Sequence, residues 1–184
     1  GQGTLLVLND EIHCARKVMK TEATTVQTLV SINRGPAGVV NTGKIQWFEP
    51  MDRKVGPATG FSVDALDKLP RVDVIYAHAN MSADLIDAAI KNGAKGLVIA
   101  GVGDGNMTTP ALDAVTRAAK SGIVVVRSTR LASGITLRNN EVNDDEKGLV
   151  ASGELNPAKS RVLLQLALTK TNDPVQIQKM FYEY

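Results

Sequence analysis

Three short apolar runs alternate with amphipathic stretches through the second half of the chain. The runs are residues 72–76, 97–100 and 123–126, which start about 25 residues apart. Between them, residues 82–92 and 110–121 carry apolar side chains every three or four positions, which is typical of helices with one buried face. This alternation predicts successive βαβ units, and hence a parallel sheet covered on both faces.

After the third run, the chain first becomes polar and then contains two predicted helices. Residues 128–146 are polar and without a period, which predicts a loop. Asn156-Pro157 and Asp173-Pro174 then each combine a capping side chain with a proline at the first helical position, so each predicts a helix start. We therefore expect a compact α/β domain over residues 72–184.

In the first third of the chain, the sequence patterns that predict secondary structure are weaker. Residues 4–8 are an apolar run between turn-forming residues and predict a buried strand. Residues 9–25 are polar and predict an irregular loop, and residues 26–33 show a weak helical spacing. Two short apolar runs flank Asn41-Thr42-Gly43 and predict a β-hairpin.

The stretch that follows is rich in Pro, Gly, Asp and Lys and predicts a linker, with one short helix at residues 63–66. We set its bounds at residues 53–71. Residues 1–52 are then the tail of a larger α/β domain, made of a strand, a loop and a hairpin. The smaller parallel-sheet domain that follows is expected to be flavodoxin-like.

A glycine-rich loop follows the second apolar run. Gly101, Gly103 and Gly105 precede Asn106, and Thr109 is the predicted N-cap of the next helix. Ligands of parallel sheets bind at such loops, and glycine lets the backbone approach a ligand closely. A simple tight turn is the alternative. The spacing G-x-G-x-G is not the dinucleotide fingerprint, which argues against a nicotinamide site.

Composition narrows the classes of function. The chain has 43% hydrophobic and 22% charged residues, as expected for a globular protein. A net charge of +2 argues against an extended nucleic-acid or membrane-surface footprint. Cys14 is the single cysteine, so neither a disulfide framework nor a cysteine zinc cluster is expected. The sequence starts without Met or a signal peptide, from which we expect a processed or partial chain.

Few residues stand out for chemistry by pattern alone. His13 and His78 are isolated and favour structural or surface roles. Lys20 in RKVMK and Glu141 in an acidic run are, by default, solvated charges. Neither a metal site nor a cofactor is predicted. The pattern alone indicates an α/β domain with a polar loop over a parallel sheet.

Several segments together resemble a known family. VLNDEI, RKVMKT, GVGDGN and LVASGELNPAKSRVLLQLALTKTNDP are similar to the C-terminal part of bacterial type II L-asparaginases and glutaminase-asparaginases. The resemblance covers essentially all 184 residues in order. The family's TGGTIA-like motif, which carries a nucleophilic threonine, and its TDT-like motif do not occur in this sequence. The resemblance implies the C-terminal portion of a subunit, which we expect to be inactive alone.

The resemblance also implies a mechanism. The family hydrolyses the side-chain amide of L-asparagine, and to varying degree L-glutamine, through a threonine acyl-enzyme and without a cofactor. Lys20 matches the lysine of the family's DVTKT-like motif, which forms a triad with the absent threonine and aspartate. A lysine beside a hydroxyl and a carboxylate can share protons and activate the alcohol.

Two further residues match the family's substrate contacts. Asn106 and Glu141 correspond to side chains that hold the substrate's α-ammonium in a neighbouring subunit's site, which implies a homotetramer made of two dimers. Relatives with strong glutaminase activity often have serine at the position of Asn106, so asparagine favours L-asparagine. Asp104 departs from the asparagine common in relatives and adds a charge to the loop. A periplasmic location is implied as well.

Two other classes of function stay open. One is a non-catalytic α/β module that binds amino acids or mediates oligomerisation, and the sequence upstream of Gly1 would distinguish it from an enzyme. The other is an anion-binding flavodoxin-like module, which a phosphate titration without effect would exclude.

Overall fold

The computed structural model describes residues 2–48 and 53–184 of the chain. The backbone divides into two compact units. Unit 1 consists of Gly1–Phe61 with Tyr184, and unit 2 of Ser62–Glu183. The predicted end of the first domain at residue 52 falls outside the described residues, so the domain bounds stay a prediction.

Unit 1 is built from short antiparallel strands. Four of them form one sheet in the order β1-β2-β5-β6, and β3 pairs with β4 separately. The strands are β1 (Leu5–Leu8), β2 (Glu11–Cys14), β3 (Met19–Lys20), β4 (Leu29–Val30), β5 (Gly38–Asn41) and β6 (Lys44–Trp47).

The predicted hairpin is confirmed as β5 and β6. Asn41 pairs with Lys44, so the turn consists of Thr42 and Gly43, whose φ angles are 49° and 74°. Positive φ at both central residues is the geometry of the two-residue turns that match the twist of a hairpin.

Other predictions for this unit are wrong. Residues 9–25 are not an irregular loop, because Asn9 and Asp10 adopt positive φ and turn the chain directly from β1 into β2. Residues 26–33 contain β4 and not a helix, and β1 is only partly buried. The short helix of the linker is a 3₁₀ helix at Gly56–Thr59 and does not lie at residues 63–66. These strands are too short to show an alternation in the sequence.

Unit 2 confirms the predicted parallel sheet. Its strand order is β10-β9-β8-β7, with every neighbouring pair parallel. The strands are β7 (Val72–Tyr76), β8 (Gly96–Gly101), β9 (Val124–Thr129) and β10 (Val150–Ala151). The helices are α1 (Asp84–Lys91), α2 (Thr109–Lys120), α3 (Asp144–Lys147), α4 (Pro157–Ala167) and α5 (Pro174–Glu183).

The central strands are buried on both faces. Leu97 and Ile99 of β8 belong to the apolar cluster that includes side chains of α1 and α2. Gly96 points to the opposite face, where a Cβ would lie 2.8 Å from Leu164 of α4. Strand side chains alternate between faces, so helices on both sides cover the sheet.

The starts of α4 and α5 fall at the predicted prolines, Pro157 and Pro174, whereas α1 begins at Asp84, two residues after the predicted start. Asn156 accepts a hydrogen bond from the Lys159 amide at 3.0 Å, as expected of an N-cap. The N-cap of α2, however, is Thr108 and not Thr109. Leu85, one of the apolar side chains of the helix predicted over residues 82–92, is exposed and does not face the core. The structure also contains β10 and α3, which the sequence pattern did not predict.

Candidate functional site

Residues 101–108, here called the glycine loop, leave the carboxyl end of β8. Val102 and Asn106 exchange two backbone hydrogen bonds of 2.8 Å, which close the loop into a tight turn. Gly103 and Gly105 have φ angles of 54° and 78°, and a Cβ on Gly101 would lie 2.3 Å from the Gly105 backbone. The glycines are therefore required by this geometry. Within the described residues, the side-chain amide of Asn106 makes no hydrogen bond.

A buried arginine anchors this loop. Arg127 of β9 has no solvent exposure, and its Nε and Nη2 bind the two carboxylate oxygens of Asp144 at 2.7 and 2.8 Å. Its Nη1 donates to the carbonyl of Asp104 at 2.8 Å, and its Nη2 to that of Leu137 at 3.0 Å. A two-point guanidinium–carboxylate pair with further acceptors is a directional and strong contact. One side chain thus joins the glycine loop, α3 and the segment between them.

Residues 137–145, here called the acidic loop, lie against the glycine loop. The Asp104 carboxylate accepts hydrogen bonds from the Leu137 amide and from Asn140 Nδ2, both at 2.7 Å. The sequence predicted only that Asp104 adds a charge to the glycine loop. In the structure, Asp104 connects its own loop to the segment that contains Glu141.

The acidic loop is also held by bonds within itself. The Asn139 amide donates to Asp144 Oδ2 at 2.9 Å, and Asn139 Nδ2 donates to Asp145 Oδ2 at 2.6 Å. The bond from Asn139, followed by that from Arg138, lowers the pKa of Asp145 below its usual 3.8, so this carboxylate is ionised at neutral pH. Glu141 itself is exposed, and its carboxylate forms no bond or ion pair with any described residue.

This arrangement presents two polar groups that are free to bind a ligand. Asn106 supplies an amide and Glu141 a carboxylate, on loops that Arg127 and Asp104 hold together. Amide and carboxylate oxygens are hydrogen-bond acceptors, and a carboxylate also favours a cation. Each of these two groups is thus suited to a cationic group with several donors, such as an ammonium.

Lys20 lies in unit 1, at the end of β3 opposite Leu29. Its side chain is exposed, and Nζ donates to Thr28 Oγ1 at 3.2 Å. No carboxylate pairs with Lys20 among residues 2–48 and 53–184. Lys17, in the same short segment, is partly buried.

The remaining candidates are consistent with structural or surface roles. His13 is buried with Nδ1 3.0 Å from Ser31 Oγ, whereas His78 is exposed with Nδ1 2.8 Å from a backbone carbonyl. Cys14 is a buried thiol. In the described ranges, no three His, Cys, Asp or Glu side chains are placed to hold a metal ion. No helix there is both long and apolar enough to cross a membrane.

The sequence reasoning missed Arg127 and Asp144. The available signal was an arginine directly after the apolar run of β9, because a charge inside a buried strand requires a partner. Its partner lies 17 residues away in a polar stretch, where spacing gives no indication of pairing.

Comparisons with known proteins cover the whole chain. The family model "Glutaminase/Asparaginase C-terminal domain" matches residues 71–181, and "Asparaginase, N-terminal" matches residues 1–53. The chain is 45% identical to the probable periplasmic L-asparaginase of Haemophilus influenzae and 46% identical to L-asparaginase 2 of Escherichia coli, covering 53% of each. It is 35% identical to the glutaminase-asparaginase of Pseudomonas fluorescens, covering 51% of that protein. The matches span all of this chain but about half the length of these curated relatives.

Proposed function

The chain belongs to the asparaginase family, and on this premise we propose that it forms part of an amidohydrolase. The reaction is hydrolysis of the side-chain amide of L-asparagine, and to some extent of L-glutamine, to the acid and ammonia. The observation that carries the proposal is the pair of joined loops, which present the unpaired side chains of Asn106 and Glu141. Relatives named asparaginase and glutaminase-asparaginase support this choice of substrates.

Asn106 and Glu141 bind the substrate's α-ammonium group in this proposal. The ammonium has three donors and a positive charge, and the carboxylate of Glu141 makes a charge-assisted contact with it. The amide oxygen of Asn106 accepts a second hydrogen bond. Because Arg127 and Asp104 hold the loops in advance, little ordering is needed when substrate binds.

Lys20 acts in proton transfer. A threonine hydroxyl attacks the amide carbon, and the proton that it loses is shared by Lys20 and a carboxylate. The leaving nitrogen takes up a proton and departs as ammonia, which leaves an acyl-threonine that water hydrolyses. The threonine and the carboxylate belong, in this proposal, to the half of the family's subunit that the match does not cover.

The assembly is a homotetramer composed of two dimers, in which Asn106 and Glu141 serve the site of a neighbouring subunit. We assign residues 1–52 to the end of the N-terminal domain, 53–71 to a linker and 72–184 to the C-terminal domain. A periplasmic location is supported by the name of the Haemophilus influenzae relative. Neither nucleic acid nor a membrane is part of the proposed activity.

The test is ammonia release by the full-length protein, with L-asparagine and L-glutamine as substrates. We expect turnover of both, faster for L-asparagine, and none from the 184-residue chain alone. Calorimetric titration with L-asparagine should accompany the assay. Binding without ammonia release would instead favour a non-catalytic amino-acid-binding module.

A further inference from the structure

We propose that Asp104 is a positioning residue, which joins the glycine loop to the acidic loop and thereby sets the affinity for the substrate's ammonium group. It does not take part in the reaction. The inference rests on the proposed function, because it concerns the two side chains assigned to substrate binding. It adds a residue whose role neither the family resemblance nor the sequence pattern assigned.

Both side-chain contacts of Asp104 connect the glycine loop to the acidic loop. Both carboxylate oxygens bind the acidic loop, through the Leu137 amide and through Asn140 Nδ2, at 2.7 Å each. Asp104 stands two residues before Asn106, and Asn140 directly precedes Glu141. The connection therefore reaches the immediate chain neighbours of both proposed contacts.

Arg127 also links the two loops, through the carbonyls of Asp104 and Leu137, but it does not reach Asn140. Its guanidinium binds backbone carbonyls of Asp104, Gly105 and Leu137 and the carboxylate of Asp144. None of these partners is Asn140. Within the described parts of the chain, the bond to Asp104 is the one side-chain bond that holds Asn140.

Loss of the connection has a defined kinetic consequence. Without it, the exposed segment around Glu141 samples more conformations, and the substrate must order that segment when it binds. The reacting atoms are unaffected once the complex has formed. The expected signature is a higher KM with little change in kcat.

The experiment exchanges donor and acceptor between the two loops in the full-length protein. Asp104→Asn keeps one oxygen for the Leu137 amide but replaces the charge-assisted bond to Asn140 by a neutral one, which forms only if the Asn140 amide flips to present its oxygen. We expect KM for L-asparagine to rise about threefold to tenfold, with kcat within about twofold of wild type. Adding Asn140→Asp restores a charge-assisted pair and the original total charge, so the double variant should recover most of the affinity.

Two controls distinguish the loss of the loop connection from the loss of a negative charge near the loop and from changes in activity. Glu146→Gln removes a charge close to the same loop without touching either partner of Asp104, and it should leave KM unchanged. Hydrogen exchange at the Leu137 amide gives a readout that needs no activity, and Asp104→Ala should accelerate it.

Several outcomes would overturn the inference. These are an unchanged KM in Asp104→Asn and Asp104→Ala, a failure of Asn140→Asp to restore affinity, or a loss of kcat in place of affinity. Absence of turnover in the wild type would instead contradict the proposed function. In that case faster exchange at Leu137 in Asp104→Ala would still support the connection, and unchanged exchange would refute it.

Discussion

The two regions that carry the proposed site residues are stabilised in different ways. The glycine and acidic loops of unit 2 are attached to Arg127, whose guanidinium and partner Asp144 have no solvent exposure. Lys20 of unit 1 lies instead on a strand of two residues and is exposed, with a hydrogen bond to Thr28.

The proposed substrate-binding residues therefore lie in the anchored loops of unit 2, and the proposed proton-transfer residue lies on an exposed strand of unit 1. The buried Arg127–Asp144 pair binds carbonyls of both loops, so the backbone that carries Asn106 and Glu141 is anchored within unit 2. A lysine that activates an alcohol requires a desolvated site with a hydroxyl and a carboxylate nearby. In the proposed enzyme, that environment must come from the remainder of the subunit.

The largest expected effect is on the stability of the two loops that Arg127 holds. Arg127→Ala should lower the free energy of unfolding by about 3–5 kcal/mol, because it leaves the Asp144 carboxylate buried without a counter-ion. Urea denaturation of the full-length protein measures this. Arg117→Ala is the matched control, since its exposed contact with Asp87 at 3.7 Å contributes at most about 1 kcal/mol. Equal effects of the two changes would contradict the comparison.

Lys20→Ala should show the opposite signature. We expect kcat to fall by at least roughly 10²-fold, because a proton-transfer group is lost, while KM and the free energy of unfolding change little. Steady-state kinetics and urea denaturation of the same preparation measure both. Lys44, which is exposed on β6, is the matched control. A variant with near wild-type kcat would remove Lys20 from the mechanism.

Glu141→Gln tests the charge at the proposed ammonium site. The change keeps the shape of the side chain, so folding should be unaffected, but KM for L-asparagine should rise about tenfold. The rise should shrink for a substrate that lacks the α-amino group. Glu146→Gln serves as the control. If both substrates lose affinity equally, Glu141 does not bind the ammonium.

The smallest expected effect concerns substrate preference. Asn106→Ser leaves the backbone bonds with Val102 in place and shortens the side chain. We expect the ratio of kcat/KM values to shift towards L-glutamine, by roughly threefold. An unchanged ratio, with both activities reduced together, would make Asn106 a structural residue only.

The sequence predicted the parallel sheet of unit 2 because β8 and β9 are apolar and repeat at the spacing of βαβ units. It also predicted the β5–β6 hairpin, where the turn residues are typical. The β1–β2 hairpin and the β3–β4 pair were missed. Strands of two to four residues are too short to show a period, and their pairing is decided by tertiary contacts.

For the site, the sequence predicted the glycine loop, and family resemblance supplied Lys20, Asn106 and Glu141 as candidate residues. Only the tertiary structure revealed that Arg127 pairs with Asp144 and that Asp104 reaches Asn140, 36 residues later in the chain. Hydrophobic periodicity is a local property that follows from the geometry of one helix or strand. The pairing of buried charges depends on which loops the folded sheet brings together, and residue spacing does not encode that.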